Sequence, residues 1–208
     1  MPDYTIIDTA TAYIGPDVRI GAGSVIKPNT TLEGKTEIGE NCVIGPNSII
    51  TDSRINDGVS VLMSVLNGAV VGKGTKIGPF SYLRPGAVIG EDVRIGDFVE
   101  IKNSIIGDGT SIAHLTYVGD TDVGKNVNFG CGTVTVNYDG IKKHRNTVED
   151  GAFIGCNTNL IAPVKVGKNA YTAAGSTVTH DVPENALAVA RAKQQNLEGW
   201  VTKKRKKD

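Results

Sequence analysis

Ile14, Ile20, Ile26, Leu32, Ile38, Ile44 and Ile50 recur every six residues, and each up to Ile44 is followed four places on by a small or β-branched residue. A helical face repeats about every 3.6 residues and a half-buried strand about every 2, so a six-residue apolar beat requires a chain that turns a corner once per hexad. Three hexads then close one triangular coil. In Ile20-Gly21-Ala22-Gly23-Ser24-Val25 and Ile44-Gly45-Pro46-Asn47-Ser48-Ile49, the first residue fills the core, Gly or Asn takes the corner, and the fifth packs small beside it. Short parallel strands laid coil over coil at ~4.8 Å predict an all-β, hexapeptide-repeat solenoid, in which no coil is stable without its neighbours.

The beat also divides the chain. Residues 1–13 precede it, and Tyr4, Ile6 and Tyr13 are available there as a lead-in covering the first coil. Between Ile50 and Val71 the phase admits five-residue steps through Ile55, Val61 and Leu66; from Val71 it runs through Ile77, Leu83, Ile89, Ile95 and Ile101. A five-residue step reaches Ile106, and Ile112, Val118, Val123 and Phe129 follow with one more short step. After Thr135 the turn-rich, basic run 137–147 cannot supply a hexad and is expected to leave the prism as a loop. The repeat returns at Val148, Ile154, Leu160, Val166, Thr172 and Val178, which assigns the solenoid to residues 14–180. Residues 181–208 are expected to form a C-terminal helix or arm with a basic tail, capping the open end or lying on a neighbour.

Composition narrows the class. An aromatic content of 5% is thin for a rounded core but suffices for a narrow prism. Basic and acidic residues balance at 22 each, which gives no general attraction to nucleic acid, and Lys203-Lys204-Arg205-Lys206-Lys207 is read as a solvated tail. No run approaches the ~20 apolar residues of a membrane span, and no basic-then-apolar leader opens the chain. Cys42, Cys131 and Cys156 are an odd number at spacings that carry neither a metal-ligand nor a disulfide signature. A cytoplasmic protein without membrane or nucleic-acid partners is expected.

Two positions stand out chemically. Arg84 and Lys102 are eighteen residues apart with no slip between them, so they should stack on adjacent rungs. Two like charges placed so disfavour the fold unless something anionic lies between them; the alternatives are a phosphate or carboxylate site and a plain solvated surface. His114 is third in its hexad, on a different face from Lys102 by the count, as either a structural histidine or a base. One thin prism would struggle to bring both onto a small substrate, so sites shared between chains are expected, with flat sides packed about a threefold axis.

More specific are the islands Gly78-Pro79-Phe80, Leu83-Arg84-Pro85-Gly86-Ala87, Phe98-Val99-Glu100-Ile101-Lys102, His114-Leu115-Thr116-Tyr117-Val118-Gly119-Asp120, Asn126-Val127-Asn128 and Asn137-Tyr138-Asp139-Gly140, with Glu184-Asn185-Ala186-Leu187-Ala188 and Gly199-Trp200 near the end. Through them residues 77–200 resemble the carboxy-terminal domain of the bacterial bifunctional family that combines glucosamine-1-phosphate N-acetyltransferase and N-acetylglucosamine-1-phosphate uridylyltransferase activities. The resemblance implies a left-handed parallel β-helix, against the usual right-handed crossover. It also implies a homotrimer that moves acetyl from acetyl-CoA to the 2-amine of glucosamine 1-phosphate, for UDP-GlcNAc and cell-wall precursor synthesis. No metal is expected for this transfer.

At matching positions the resemblance makes His114 the general base and Glu100 a candidate to orient its imidazole. Arg84, Lys102 and Lys143 match phosphate contacts, and Tyr117 and Asn128 match residues that hold the sugar. Asn137 and Tyr138 match the acetyl-transfer edge, where a donor should stabilise an oxyanion. Cys131, Cys156, Ala174 and Arg191 match the coenzyme groove, Arg191 towards a coenzyme phosphate. Cys131 and Cys156 stand where the family more often has Ala and Ser, and oxidation is expected to trap coenzyme as a mixed disulfide at one of them. The family's nucleotidyltransferase domain is not matched, since hexads begin within fifteen residues of Met1; uridylyl transfer and its magnesium are not expected. Two other classes stay open: a γ carbonic anhydrase-like hydratase holding zinc on His114, His144 and His180, and a non-catalytic trimerisation module.

Overall fold

The inward beat is followed closely in a computed structural model, which describes residues 3–205. Ile26, Leu32, Ile44, Ile50, Leu66, Leu83, Ile101, Ile112, Val118, Ile154 and Leu160 are each fully buried in one continuous apolar column. The short steps are real: Ile55, Val61, Val71, Ile106 and Val123 all point inward. Beside them the small fifth residues, such as Ser24, Thr36 and Ser48, are buried and bonded to backbone, Ser24 Oγ donating to the Gly39 carbonyl at 2.8 Å. Coil length consequently varies. Ladder partners lie 18 residues apart at Cys42, 16 at Ser64 and 17 at Ser53.

Strands of mostly two or three residues form three stacks, every pairing between named strands parallel. The first side includes Val25–Ile26, Val43–Ile44, Lys76–Ile77 and Asn128–Phe129; the second, Thr31–Glu33, Tyr82–Leu83 and Val134–Val136; the third, Glu37–Ile38, Val88–Ile89 and Asn146–Val148. Corners turn where one residue adopts positive φ, as Asn41 does at 55° and Gly23 at 71°. Two strands of nine residues, Arg94–Lys102 and Ser111–Gly119, run around the corner from the first side onto the second and pair along their length.

The ladder runs past both expected ends. Thr5–Ile6 pairs with Val25–Ile26, so the lead-in already supplies a strand; Val182 bridges to Val166, and Leu187–Ala188 pairs with Tyr171–Thr172. The arm is irregular from residue 189 until the helix Trp200–Arg205, which includes the first three residues of the basic tail; Lys206 and Lys207 lie outside the described residues. No helix of the described residues is long and apolar enough to cross a membrane.

Candidate active site

The corner between the first and second sides carries one candidate residue per coil. In Asp97, His114, Cys131, Cys156 and Ala174 the residue sits directly before a left-handed one, namely Phe98 (φ 55°), Leu115 (45°), Gly132 (75°), Asn157 (53°) and Gly175 (74°). Ladder bonds hold the row in register: Gly132 N–H donates to His114 O, Asn157 N–H to Cys131 O, and Gly175 N–H to Cys156 O. Arg191 closes the row, and its Cδ would lie 3.8 Å from a Cβ placed on Gly175. The expected general base and all four expected groove residues therefore share one edge. Phe98 and Leu115 hold a conformation that costs a bulky side chain roughly 1–2 kcal/mol, and Phe98 stacks on Phe80 at 5.4 Å.

At the head of this row the His114 Nδ1 lies 2.8 Å from Asp97 Oδ1, and the imidazole is exposed. A carboxylate only accepts, so Nδ1 carries the proton and Nε2 is left as the basic atom. The Asp97 backbone N–H, and then the imidazole, hold the Asp97 carboxyl below its ordinary range. Glu100, expected to orient this ring, does something else within the chain: its Oε1 accepts from Arg84 at 2.7 Å. The register explains it, since Asp97 pairs with His114, and Glu100, beyond the corner, pairs with Tyr117.

The next corner, between the second and third sides, gathers the cationic residues. Arg84 and Lys102 stack as expected, the Arg84 N–H donating to Ile101 O at 2.8 Å. Their charges are already matched inside the chain, Arg84 by Glu100 and Lys102 by Asp120 at 3.3 Å, so the stack alone does not demand an external anion. Asp120, with a side chain only 9% exposed, is the centre of this cluster. It accepts from Lys102, from Asn103 at 2.5 Å and from Asn137, and these bonds outweigh burial, which alone would raise its carboxyl, to hold it below its ordinary value.

Asn137 Nδ2 faces Asp120 and also donates to the Tyr117 hydroxyl at 3.4 Å. Both amide hydrogens are thus engaged, and the atom left over is the Oδ1 acceptor. The oxyanion donor expected at Asn137 cannot be its side chain in this arrangement.

Residues 138–145 leave the prism as a built turn. Asp139 Oδ1 accepts from the Ile141 and Lys142 N–H groups at 2.8 and 2.7 Å, and Oδ2 meets His144 Nε2 at 2.6 Å. The Lys142 N–H, then His144 and the Ile141 N–H, hold the Asp139 carboxyl down at about 2. Exposed Tyr138 is bridged to Lys143. The turn brings Lys143 against Lys102, and that contact with a second cation holds Lys143 below its ordinary value.

Asn128 is on the first side, exposed, and so joins neither corner cluster. The three histidines are dispersed: His114 on Asp97, His144 on Asp139 and His180 against Thr179 at 3.0 Å. Among the described residues no group of three His, Cys, Asp or Glu is placed to hold a metal. Sequence reasoning missed Asp97, Asn103 and the role of Asp120. The available signal was the 17-residue spacing from Asp97 to His114 and from Asn103 to Asp120, one short coil each.

Comparison with known proteins bears on the repeat and the fold. The model "Bacterial transferase hexapeptide (six repeats)" matches residues 17–52 and 68–103, and "Hexapeptide repeat of succinyl-transferase" matches 145–180, together more than half of the chain. The chain belongs to the hexapeptide-repeat transferases. With that family comes the left-handed winding of the β-helix. It is 58% identical over 203 residues to "Bifunctional protein GlmU" of Thermoanaerobacter pseudethanolicus, across 98% of this chain and 44% of that protein. To the GlmU of Clostridium beijerinckii it is 57% identical, across 96% and 44%. The chain thus spans less than half the length of these curated relatives. Among solved structures it resembles the UDP-N-acetylglucosamine acyltransferase of Francisella novicida (TM-score 0.63, 17% identity, 97% of this chain and 73% of that one). It also resembles LpxA of Bacteroides fragilis (0.61, 18%, 88% and 71%); at such identity both speak to the fold alone.

Proposed function

We propose that this chain transfers acetyl from acetyl-CoA to the 2-amine of glucosamine 1-phosphate, giving N-acetylglucosamine 1-phosphate for UDP-GlcNAc synthesis. The observation that carries it is the Asp97–His114 pair at the head of an edge that continues through Cys131, Cys156 and Ala174 to Arg191. A base for the amine and a groove for the coenzyme then lie along one line. The match to a GlmU protein across 98% of this chain supports the choice of substrate.

In this mechanism, His114 Nε2 removes a proton from the sugar ammonium, and the imidazolium that forms is stabilised by Asp97. The free amine attacks the thioester carbonyl, a C–N bond forms, and the tetrahedral intermediate collapses by breaking the C–S bond. The proton held on Nε2 leaves with the coenzyme thiolate, and the second proton that the nitrogen sheds as the amide forms passes to solvent. Asn137 Oδ1, fixed by Asp120, accepts from the amine and aims its lone pair; Arg84, Lys102 and Lys143 bind the 1-phosphate, and Tyr117 and Asn128 the sugar. Because Asn128, His114 and Lys102 occupy different sides and edges of one prism, we place the working site between chains of a homotrimer. Acetyl-CoA is the co-substrate, its phosphates directed to Arg191.

Thiol release from acetyl-CoA tests this. Glucosamine 1-phosphate should be acetylated at least ~100-fold faster than glucosamine or glucosamine 6-phosphate. Equal release with all three, or with none, would remove the proposal.

A further inference from the structure

Two thiols stand one above the other on the first edge. Cys131 and Cys156 hold the same place in successive corners, and the Asn157 N–H donates to the Cys131 carbonyl at 2.7 Å. A Cβ placed on Gly130 would come within 2.5 Å of the Cys156 nitrogen, so the two corners are in close contact. Rungs in register lie ~4.8 Å apart, inside the ~4.4–6.8 Å between Cα atoms that a disulfide spans. Cys156 is exposed and Cys131 half-buried, whereas Cys42 is buried with its thiol directed at the Asn56 carbonyl, 3.2 Å away.

We propose that Cys131 and Cys156 form a dithiol modification site that closes on reaction with a small-molecule disulfide of the glutathione or coenzyme A type. The exposed Cys156 thiolate attacks one sulfur of that disulfide; a protein–small-molecule S–S bond forms and one small thiolate leaves. The Cys131 thiolate then attacks the Cys156 sulfur, the intramolecular S–S bond forms, and the second small thiolate leaves. Two protein thiols are oxidised, one disulfide is reduced to two thiols, and the two thiol protons pass to the departing thiolates. The functional consequence rests on the coenzyme groove proposed above: the cross-link sits one and two coils beyond His114 and ties together two successive corners of the edge along which coenzyme would lie.

The C42S variant leaves these as the only two thiols, and Ser already fills the same hexad position at 24 and 48. After incubation with glutathione disulfide, intact mass should show loss of two hydrogens, no retained glutathione and no titratable thiol, all reversed by dithiothreitol. In C42S/C131S the attack on Cys156 has no resolving partner, so one glutathione should be retained. If C42S folds poorly, the same count is made on the native chain, where buried Cys42 resists alkylation until the protein is unfolded. Survival of both thiols, or one glutathione held on each, overturns the site. Phenylarsine oxide gives an independent measure: one arsenical bridging C42S against a monothiol wash supports the site, and none opposes it. Acetyl transfer by the closed form should fall about tenfold or more and recover on reduction. Closure with unchanged transfer would overturn the consequence for coenzyme, while absence of transfer in the reduced chain would count against the proposed function and leave the mass result standing.

Discussion

The two corners that border the second side are built from the same turn, yet they present opposite electrostatic situations. The edge with Asp97 and His114 offers an exposed ring whose outer nitrogen is free, followed by two unpaired thiols. The edge with Lys102, Asn137 and Asp120 is internally satisfied, with every anion and most cations already matched. Reactivity needs an unpaired group, and binding needs groups held still; under the proposed function one prism keeps these demands on separate edges.

That division can be attacked from either side. The largest effect is expected at the reactive edge, where His114→Ala should lower kcat for acetyl transfer about 100- to 10,000-fold with little change in KM for glucosamine 1-phosphate. Equal losses in kcat and in the circular dichroism signal would mean the ring is structural. At the binding edge, Lys102→Ala should act mainly on KM, raising it about tenfold to a hundredfold, and should compress the preference for the 1-phosphate over the free sugar.

Asp97→Asn separates a positioning role from a packing one. Loss of the carboxylate should leave the ring free to turn and to exchange tautomers, reducing the kcat/KM plateau about tenfold, with Asp97→Glu restoring part of it. Imidazole NMR without substrate should show the Nδ1–H tautomer preference lost in Asp97→Asn and kept in Asp97→Glu.

The smallest effect concerns the binding edge and acid. Asp120 is depressed in the folded chain, so its stabilisation is present above the unfolded value near ~3.9 and is lost as pH falls through the lower folded value. Thermal melts should drop across that window, and Asp120→Asn should flatten the drop while lowering the melting temperature at neutral pH. The depressed Asp139, at about 2, predicts that the turn at 138–145 loosens between about pH 4 and pH 2, read by amide exchange at Ile141 and Lys142.

The winding was legible because it is written in single residues. Ile101 to Ile106 and Val118 to Val123 showed each short step directly, and the core obeys both. The stacking of Arg84 on Lys102 was legible for the same reason, since no slip falls between them. What escaped was the partner of each charge. Glu100 lies two residues from Lys102 in sequence yet reaches back one coil to Arg84, and Asp120, seventeen residues from Asn103, serves three donors at once. Spacing fixes which backbones are neighbours, but how far a side chain reaches, and which end of an amide it turns outward, depends on three-dimensional competition among acceptors. Asn137 is the plain example: its type suggested a donor, and the carboxylate behind it consumes that donor.

The coil that contains residues 138–145 reaches its ladder partner after 25 residues, as Lys125 does with Asp150, while the coils on either side need 17 and 18. The added length is spent wholly outside the prism, and Val148 re-enters in phase. A corner of this kind is a splice point: extra chain can be gained, lost or exchanged there over generations without renegotiating the interior, so acceptor preference can diversify on a scaffold whose winding stays constant.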